Sequence, residues 1–299
     1  PGLYETSTAN ASAGFTTASD PIRCPVTGAA ADCQGTVLGI NTGNPFIKPE
    51  TSDTWTVGVI WEPVPGLSGT LDYWNIETQD QITIGSVQGV LNNPGNFPAA
   101  TIGRDSNNLP GIPNSGTVLY VQTPYQNANT VKTDGIDLDI VWRIPTKDWG
   151  TFTPQFQWTH IFNYSQTLGG IEYKYAGTNG NYDVSSAQGT PEDRWNLILG
   201  WSRGPWTATG TVRFVSGYDE IPWEGEPVPD ACLWHWSDDQ TGCSVDSFTT
   251  FDLSASYKGF KNWEIFGSII NVFNEKAPFA PAAAYGLVNY NYNYSASGA

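Results

Sequence analysis

Hydrophobic and polar residues alternate with a period of two in one stretch after another along this chain. In TWTVGVIWE, Trp55, Val57, Val59 and Trp61 share one face, while Thr54, Thr56, Gly58 and Glu62 share the other. DGIDLDIVW sets Ile136, Leu138, Ile140 and Trp142 against Asp137 and Asp139. RWNLILGWS sets Trp195, Leu197, Leu199 and Trp201 against Arg194, Asn196 and Ser202. WTATGTVRF and TFDLSASY repeat the pattern with Trp206, Ala208, Val212 and Phe214, then Phe251, Leu253, Ala255 and Tyr257. The stretch from Trp263 to Asn271 has strand composition with both faces partly apolar. Each stretch predicts a β-strand with one apolar and one polar side.

The connections sort into two kinds. Pro63 to Gly66, Pro145 to Gly150, Gly204-Pro205 and Gly259-Phe260 read as tight turns. Between them run long polar loops at about 79–130, 166–192 and 217–247, with 1–53 loop-like as well and 274–299 a last loop. Short and long connections alternate strictly. A soluble sandwich has no reason to gather its long loops at one end, whereas an outer-membrane barrel has short periplasmic turns and long extracellular loops. Trp at both ends of an apolar face, as at Trp195 and Trp201, matches the aromatic girdles of such a barrel.

Composition narrows the choice. With 32 Gly and 21 Pro in 299 residues, a helix bundle or doubly wound α/β enzyme is excluded, and 13 Trp, 14 Tyr and 13 Phe exclude a disordered chain. Thirteen Lys and Arg against 29 Asp and Glu give a net charge of −16, which excludes a general nucleic-acid binder. No apolar run reaches about 18 residues, so no helix spans a membrane; this leaves strands free to do so. Cys24 with Cys33, and Cys232 with Cys243, read as two local loop disulfides of an oxidising compartment, free thiols being the alternative. Neither an initiator Met nor a signal peptide opens the chain, and no closing element follows NYNYSASGA, so it reads as an internal or processed fragment.

Five motifs then resemble one family. NPFIKPETS (Asn44 to Ser52) is similar to the N-P-x-L-x-P-E-x-S segment of TonB-dependent outer-membrane receptors. LDYWNI from Leu71, followed by Asp80-Gln81-Ile82, resembles that family's D-Y-(W/Y)-x-I strand. NANTVKTDGID from Asn127, PEDRWNL from Pro191 and NVFN from Asn271 resemble three further family segments, in the family's order. The resemblance covers the C-terminal part of the barrel. It implies an all-β, antiparallel up-and-down transmembrane β-barrel, partial, with about eight of about 22 strands, the closing strand absent and 274–299 leading to it.

It also implies a location in the bacterial outer membrane, active uptake of a scarce nutrient (siderophore, vitamin, glycan or peptide) energised through TonB, and no enzymatic activity or cofactor. Implied partners are outer-membrane lipid and lipopolysaccharide, a small nutrient ligand, and a plug domain and TonB reached through N-terminal segments absent here. The alternatives are a secreted aromatic-rich β protein that binds carbohydrate, and a processed barrel fragment that self-associates through open sheet edges into a filament. Candidate ligand-facing residues are Tyr218, Trp223, Trp234 and Trp236 in one aromatic loop. The acidic residues of that loop (Glu224, Glu226, Asp230, Asp238, Asp239) read as a solvated face, and Asp137 and Asp139 as lumen-wall residues. His160 and His235 lack neighbours at ligand spacing, so no metal site is expected.

Overall fold

The computed structural model describes residues 1–8, 11–168, 171–178, 190–219 and 244–278. Along the chain the strands are β1 (Ala11–Ala18), β2 (Gly35–Thr42), β3 (Thr51–Val64), β4 (Leu67–Thr83), β5 (Thr101–Arg104), β6 (Val118–Pro124), β7 (Gln126–Trp142) and β8 (Ile144–Thr146). They continue as β9 (Gly150–Leu168), β10 (Ile171–Lys174), β11 (Asp193–Arg203), β12 (Trp206–Val215), β13 (Tyr218–Asp219), β14 (Ser244–Val245), β15 (Phe248–Tyr257) and β16 (Ile265–Ile269).

The main sheet runs β3-β4-β7-β9-β11-β12-β15-β16, every neighbour antiparallel, with β8 and β10 pairing onto β9. This is the expected up-and-down sheet. It is not closed: among the described residues β3 and β16 each pair on one side only. The expected short turns all lie at one end, and Gly66 at φ 85° supplies the left-handed corner between β3 and β4.

Register turns the sequence alternation into two chemically different surfaces. Across the strands, Val59, Leu71, Leu138, Trp158, Trp195 and Phe214 form one apolar row, and Ile140, Phe156, Leu197, Val212 and Phe251 form the next. The opposite face carries Asp139, Gln157, Asn196, Arg213 and Thr250 in one row and Thr153, Gly200, Thr209, Ser254 and Ser268 in another. Among the described residues no second layer covers the apolar face: Leu199 is 51% exposed, Leu197 and Leu253 are exposed near it, and Val57 is exposed on β3. An uncovered apolar face of this extent is unstable in water and stable in hydrocarbon.

β4 and β7 have 17 residues each and β9 has 19, well beyond the roughly 9–11 needed to cross a bilayer at a tilt. Their surplus lies at the end away from the tight turns. There the structure departs from the expected loops. Within 1–53 and 79–130, the parts outside β3, β4 and β7 build a second sheet, ordered β1-β2-β6-β5, in which β2 and β6 run parallel. Its core gathers Ala18, Val37, Val90, Leu91, Phe97, Val118 and Val121, helped by the short helix α4 (Val87–Asn92; α1 is Leu3–Thr6, α2 Cys24–Thr27, α3 Ala30–Cys33). The reason is physical: these apolar residues are scattered and aperiodic, yet together they bury one small core and form a cap.

Two further loops also contain pairing. β9 continues to Leu168 and β10 folds back on it, within 166–192. β13 pairs with β14 at the base of 217–247. The strand expected from Trp263 to Asn271 is shorter, Ile265–Ile269, because the preceding residues form the turn and Asn271 takes a left-handed φ of 52°.

Candidate functional site

The cap is held to itself by charge as well as by its core. The β1–β2 connection crosses α2 and α3, which carry the Cys24–Cys33 disulfide, Cα atoms 4.8 Å apart. Closing so short a loop restricts the unfolded chain by about 2–3 kcal/mol. Flanking the two cysteines, Arg23 Nε donates to Asp32 Oδ1 at 2.7 Å, and its Nη1 donates to the carbonyls of Ser115 (2.7 Å) and Asn107 (3.1 Å). Arg104 forks onto Asp20, Nη1 to Oδ2 at 2.5 Å and Nη2 to Oδ1 at 3.1 Å, and also reaches the Gly116 carbonyl at 2.8 Å. One bidentate guanidinium contact (Arg104 on Asp20) and the Arg23 bonds to two carbonyls thus tie the N-terminal segment to the end of β5 and the segment after it. Asp105 takes the backbone N–H groups of Asn107 and Thr117 at 2.9 and 2.8 Å and shapes the loop between them.

A cleft of about 520 Å³ opens in this cap, lined by Ala18, Asp20, Asp32, Gln34, Thr36 and Thr117 among others. That volume suits a small molecule. Arg23 and Arg104 are committed to Asp32 and Asp20, so the cleft presents the Gln34 amide and the Thr36 and Thr117 hydroxyls beside an apolar half made by Ala18, Val37, Leu91 and Val118.

These pairs depress the carboxyls. Burial raises Asp20, but the Arg104 guanidinium and the Ile22 and Arg23 N–H groups more than offset it. Arg23 and Thr27 hold Asp32 below its ordinary value, and the Asn107 and Thr117 N–H groups do the same for Asp105. A carboxyl whose folded pKa lies below its unfolded value stabilises the fold fully above that unfolded value, about 3.9, and the contribution is lost as pH falls through the folded value. We therefore expect the cap to loosen below about pH 4 while the main sheet persists. Hydrogen exchange should show amides of 18–37 and 101–118 keeping their protection down to about pH 4 and losing it between there and about pH 2, after correction for intrinsic rates. Unchanged protection down to pH 2 would contradict these ion pairs.

The polar face below the cap is a hydrogen-bonded wall. Asp139 accepts from Gln155 Nε2 at 2.8 Å and Gln157 Nε2 at 2.9 Å, and Asp137 accepts from Thr159 Oγ1 at 2.6 Å. Arg213 pairs with Asp252. Asp137 and Asp139 therefore sit where expected, on the polar face, partnered by amides and hydroxyls.

The sequence motifs prove to be stitches between strands. Asn44 Nδ2 donates to the Tyr125 carbonyl, Lys48 and Asn127 exchange two hydrogen bonds (2.8 and 2.9 Å), and Glu50 accepts from the Ile82 N–H. This joins β3 to the outer ends of β4 and β7. In PEDRWNL, Asp193 Oδ1 accepts from Trp158 Nε1 and meets His160 Nδ1, both at 2.8 Å. In NVFN, Asn271 and Asn274 both adopt left-handed backbone, which Asn tolerates better than most residues, and Asn271 accepts from and donates to Glu275 at 2.8 Å.

Of the candidate ligand-facing residues, Tyr218 is 5% exposed and packs with Val245 and Phe248, anchoring the base of its loop from within. Trp223, Trp234 and Trp236 lie outside the described residues, as do Cys232, Cys243, His235 and the acidic residues 224–239. Sequence reading missed Asp20, Arg23, Asp32 and Arg104. A signal existed for two of them, since Arg23 and Asp32 immediately precede the two bonded cysteines. Among the described residues, no three His, Cys, Asp or Glu gather as a metal site.

Comparison with known proteins gives one consistent result. The family described as TonB dependent receptor-like, beta-barrel matches residues 1–272. The siderophore receptor PirA of Acinetobacter baumannii superposes with a TM-score of 0.58 at 13% identity, over 93% of this chain and 34% of that one. The ferric enterobactin receptor of Pseudomonas aeruginosa superposes with a TM-score of 0.57 at 14% identity, over 97% and 34%. A variant of the latter gives 0.56 at 15% identity over 99% and 34%. The chain thus spans about a third of the length of these structures. No curated protein matches its sequence.

Proposed function

The chain belongs to the TonB-dependent receptor β-barrel family, whose members are transporters and not enzymes, and from that premise we propose that it forms wall and extracellular vestibule of an outer-membrane receptor for a small scarce nutrient. In this reading the apolar face meets lipid, the polar face lines the lumen beside a plug domain, and TonB supplies the energy for release. The supporting observation is the cap with its cleft, carried on the surplus length of β4, β7 and β9 at the end opposite the tight turns. A ligand held there sits outside the membrane, above the polar wall it must pass.

The relatives named above bind iron-chelating compounds, and an iron chelate is one candidate substrate for this receptor. The cap adds a constraint: with Arg23 and Arg104 engaged internally, recognition through it relies on hydrogen bonds more than on positive charge. Uptake of a panel of labelled ferric chelates, cobalamin and short glycans by cells carrying the receptor tests the proposal. Saturable uptake of one class, abolished without TonB, is the expected result. Uptake of that class undiminished without TonB would overturn the energised reading.

A further inference from the structure

The formal charges divide unevenly along the strands. At the tight-turn end stand Arg143, Lys147, Arg203, Lys258 and Lys261 against Glu62, Asp148 and Glu264. Among the described residues, most of the remaining carboxylates lie toward the opposite end, with Asp72, Asp137, Asp139 and Asp252 along the strands between. The basic end coincides with a band of exposed aromatics: Trp142, Trp149, Trp206, Phe260 and Trp263.

Within that band the apolar face has a notch. Trp206, Tyr257 and Ile265 are aligned across β12, β15 and β16, and the next row inward is Ala208, Ala255 and Gly267. The small row forms a floor, and a Cβ placed at Gly267 meets nothing within 4 Å. The walls are Trp206 and Tyr257, 4.5 Å between ring centroids, and Phe260, 5.2 Å from Tyr257. The resulting groove of about 560 Å³ opens on the apolar face of the sheet and is almost wholly apolar.

Three cations belong to the turns beside it: Arg203, Lys258 and Lys261, the last following the wall residue Phe260 in the chain. Arg203 is aligned with Trp206 in the β11–β12 pair, and the Lys258 N–H bonds the Pro205 carbonyl at 2.9 Å, drawing the two turns together. Lys258 Nζ meets Glu264 at 3.3 Å. The side chains of Arg203 and Lys261 make no ion pair among the described residues.

We propose that this groove is a binding site for an anionic phospholipid of the periplasmic leaflet, one acyl chain lying over Ala255 and Gly267 and the phosphate facing Arg203 and Lys261. Charge complementarity selects the occupant: a zwitterionic headgroup brings its own cation, whereas a phosphatidylglycerol-type headgroup leaves its charge for these two. Snorkelling places both cations at headgroup depth while their stems cover the aromatics. The proposal rests on the membrane reading above and adds a lipid preference to it.

The test uses the receptor chain carrying these residues, in nanodiscs of phosphatidylethanolamine doped with phosphatidylglycerol or with lipid A, and native mass spectrometry of lipids retained on release. Retention of phosphatidylglycerol over phosphatidylethanolamine is expected. R203Q combined with K261Q should lower it by about 30-fold, two surface cations' worth. G267F, which fills the notch without changing charge, should lower it comparably, and K48Q at the opposite end should leave it unchanged. Retention that ignores both R203Q/K261Q and G267F, or that favours lipid A, would overturn the proposal. Since normal insertion and nutrient uptake of these variants are read in parallel, failure of the lipid site is distinguishable from failure of the receptor reading.

Discussion

Replacing Leu199 with Arg is expected to destabilise the protein by about 2–4 kcal/mol, because on the proposed reading its row faces hydrocarbon. Leu199 lies in the row Pro154, Leu199, Gly210, Leu253 and Ile269, and is half exposed, with no layer above it among the described residues. Thr209→Arg, one residue along on the polar face, should cost much less, since a wet lumen accepts the charge. Arg alone does not separate lipid from a packed core, which would reject it too. Leu199→Phe does separate them. In a core the added volume costs about 1–3 kcal/mol; against fluid lipid it should stay within about 0.5 kcal/mol. Urea unfolding of the three variants in lipid vesicles gives the comparison, and a marked loss for Leu199→Phe would indicate a covered face.

The cap should fail separately from the sheet. Phe97 is 2% exposed and packs over Gly85, where even a Cβ would come within 2.5 Å of its ring, and beside Val90. Phe97→Ala opens a cavity that the disulfide and the Arg23 and Arg104 bonds hold from collapsing, so the full cost of about 3–5 kcal/mol is expected. Protease susceptibility at 84–125 should rise sharply while the strands of the main sheet stay protected. Equal loss in both regions would mean that cap and sheet form one cooperative unit.

How much of this was legible follows from the range over which each signal acts. DGIDLDIVW and RWNLILGWS announced β7 and β11 because a strand's two faces are written every second residue, and the facing rows Leu138, Trp158 and Trp195 follow once the strands pair. Short and long connections were equally visible, since tight turns need Gly and Pro locally. The cap was not visible. β1 is exposed along seven of its eight residues and carries no alternation. β2 meets β6 in parallel across some eighty residues of chain, a pairing that no local pattern encodes.

The same distinction applies to the site. Asp20 and Arg104 lie 84 residues apart, and nothing in either neighbourhood announces the other. Arg23 and Asp32 were within reach, because a disulfide between the residues that follow them brings them together. Tyr218 reads as a loop aromatic, and its burial becomes intelligible only with Val245 and Phe248, across the loop, packed on it. The family motifs were readable as words before their reason was: Asn44, Glu50 and Asn127 matter as backbone partners for neighbouring strands, a role that spacing alone does not reveal.

The account turns on which face of the main sheet meets hydrocarbon. Nitroxide labels placed singly at 195 through 202 of the receptor in outer membranes, read for collision with dissolved oxygen and with a water-soluble nickel chelate, address it directly. The prediction is a period of two, with oxygen accessibility high at 195, 197, 199 and 201 and low at the positions between them, and the chelate excluded from the odd set. Odd positions shielded from oxygen and chelate alike would mean that a protein layer covers them, and would contradict the barrel-wall account.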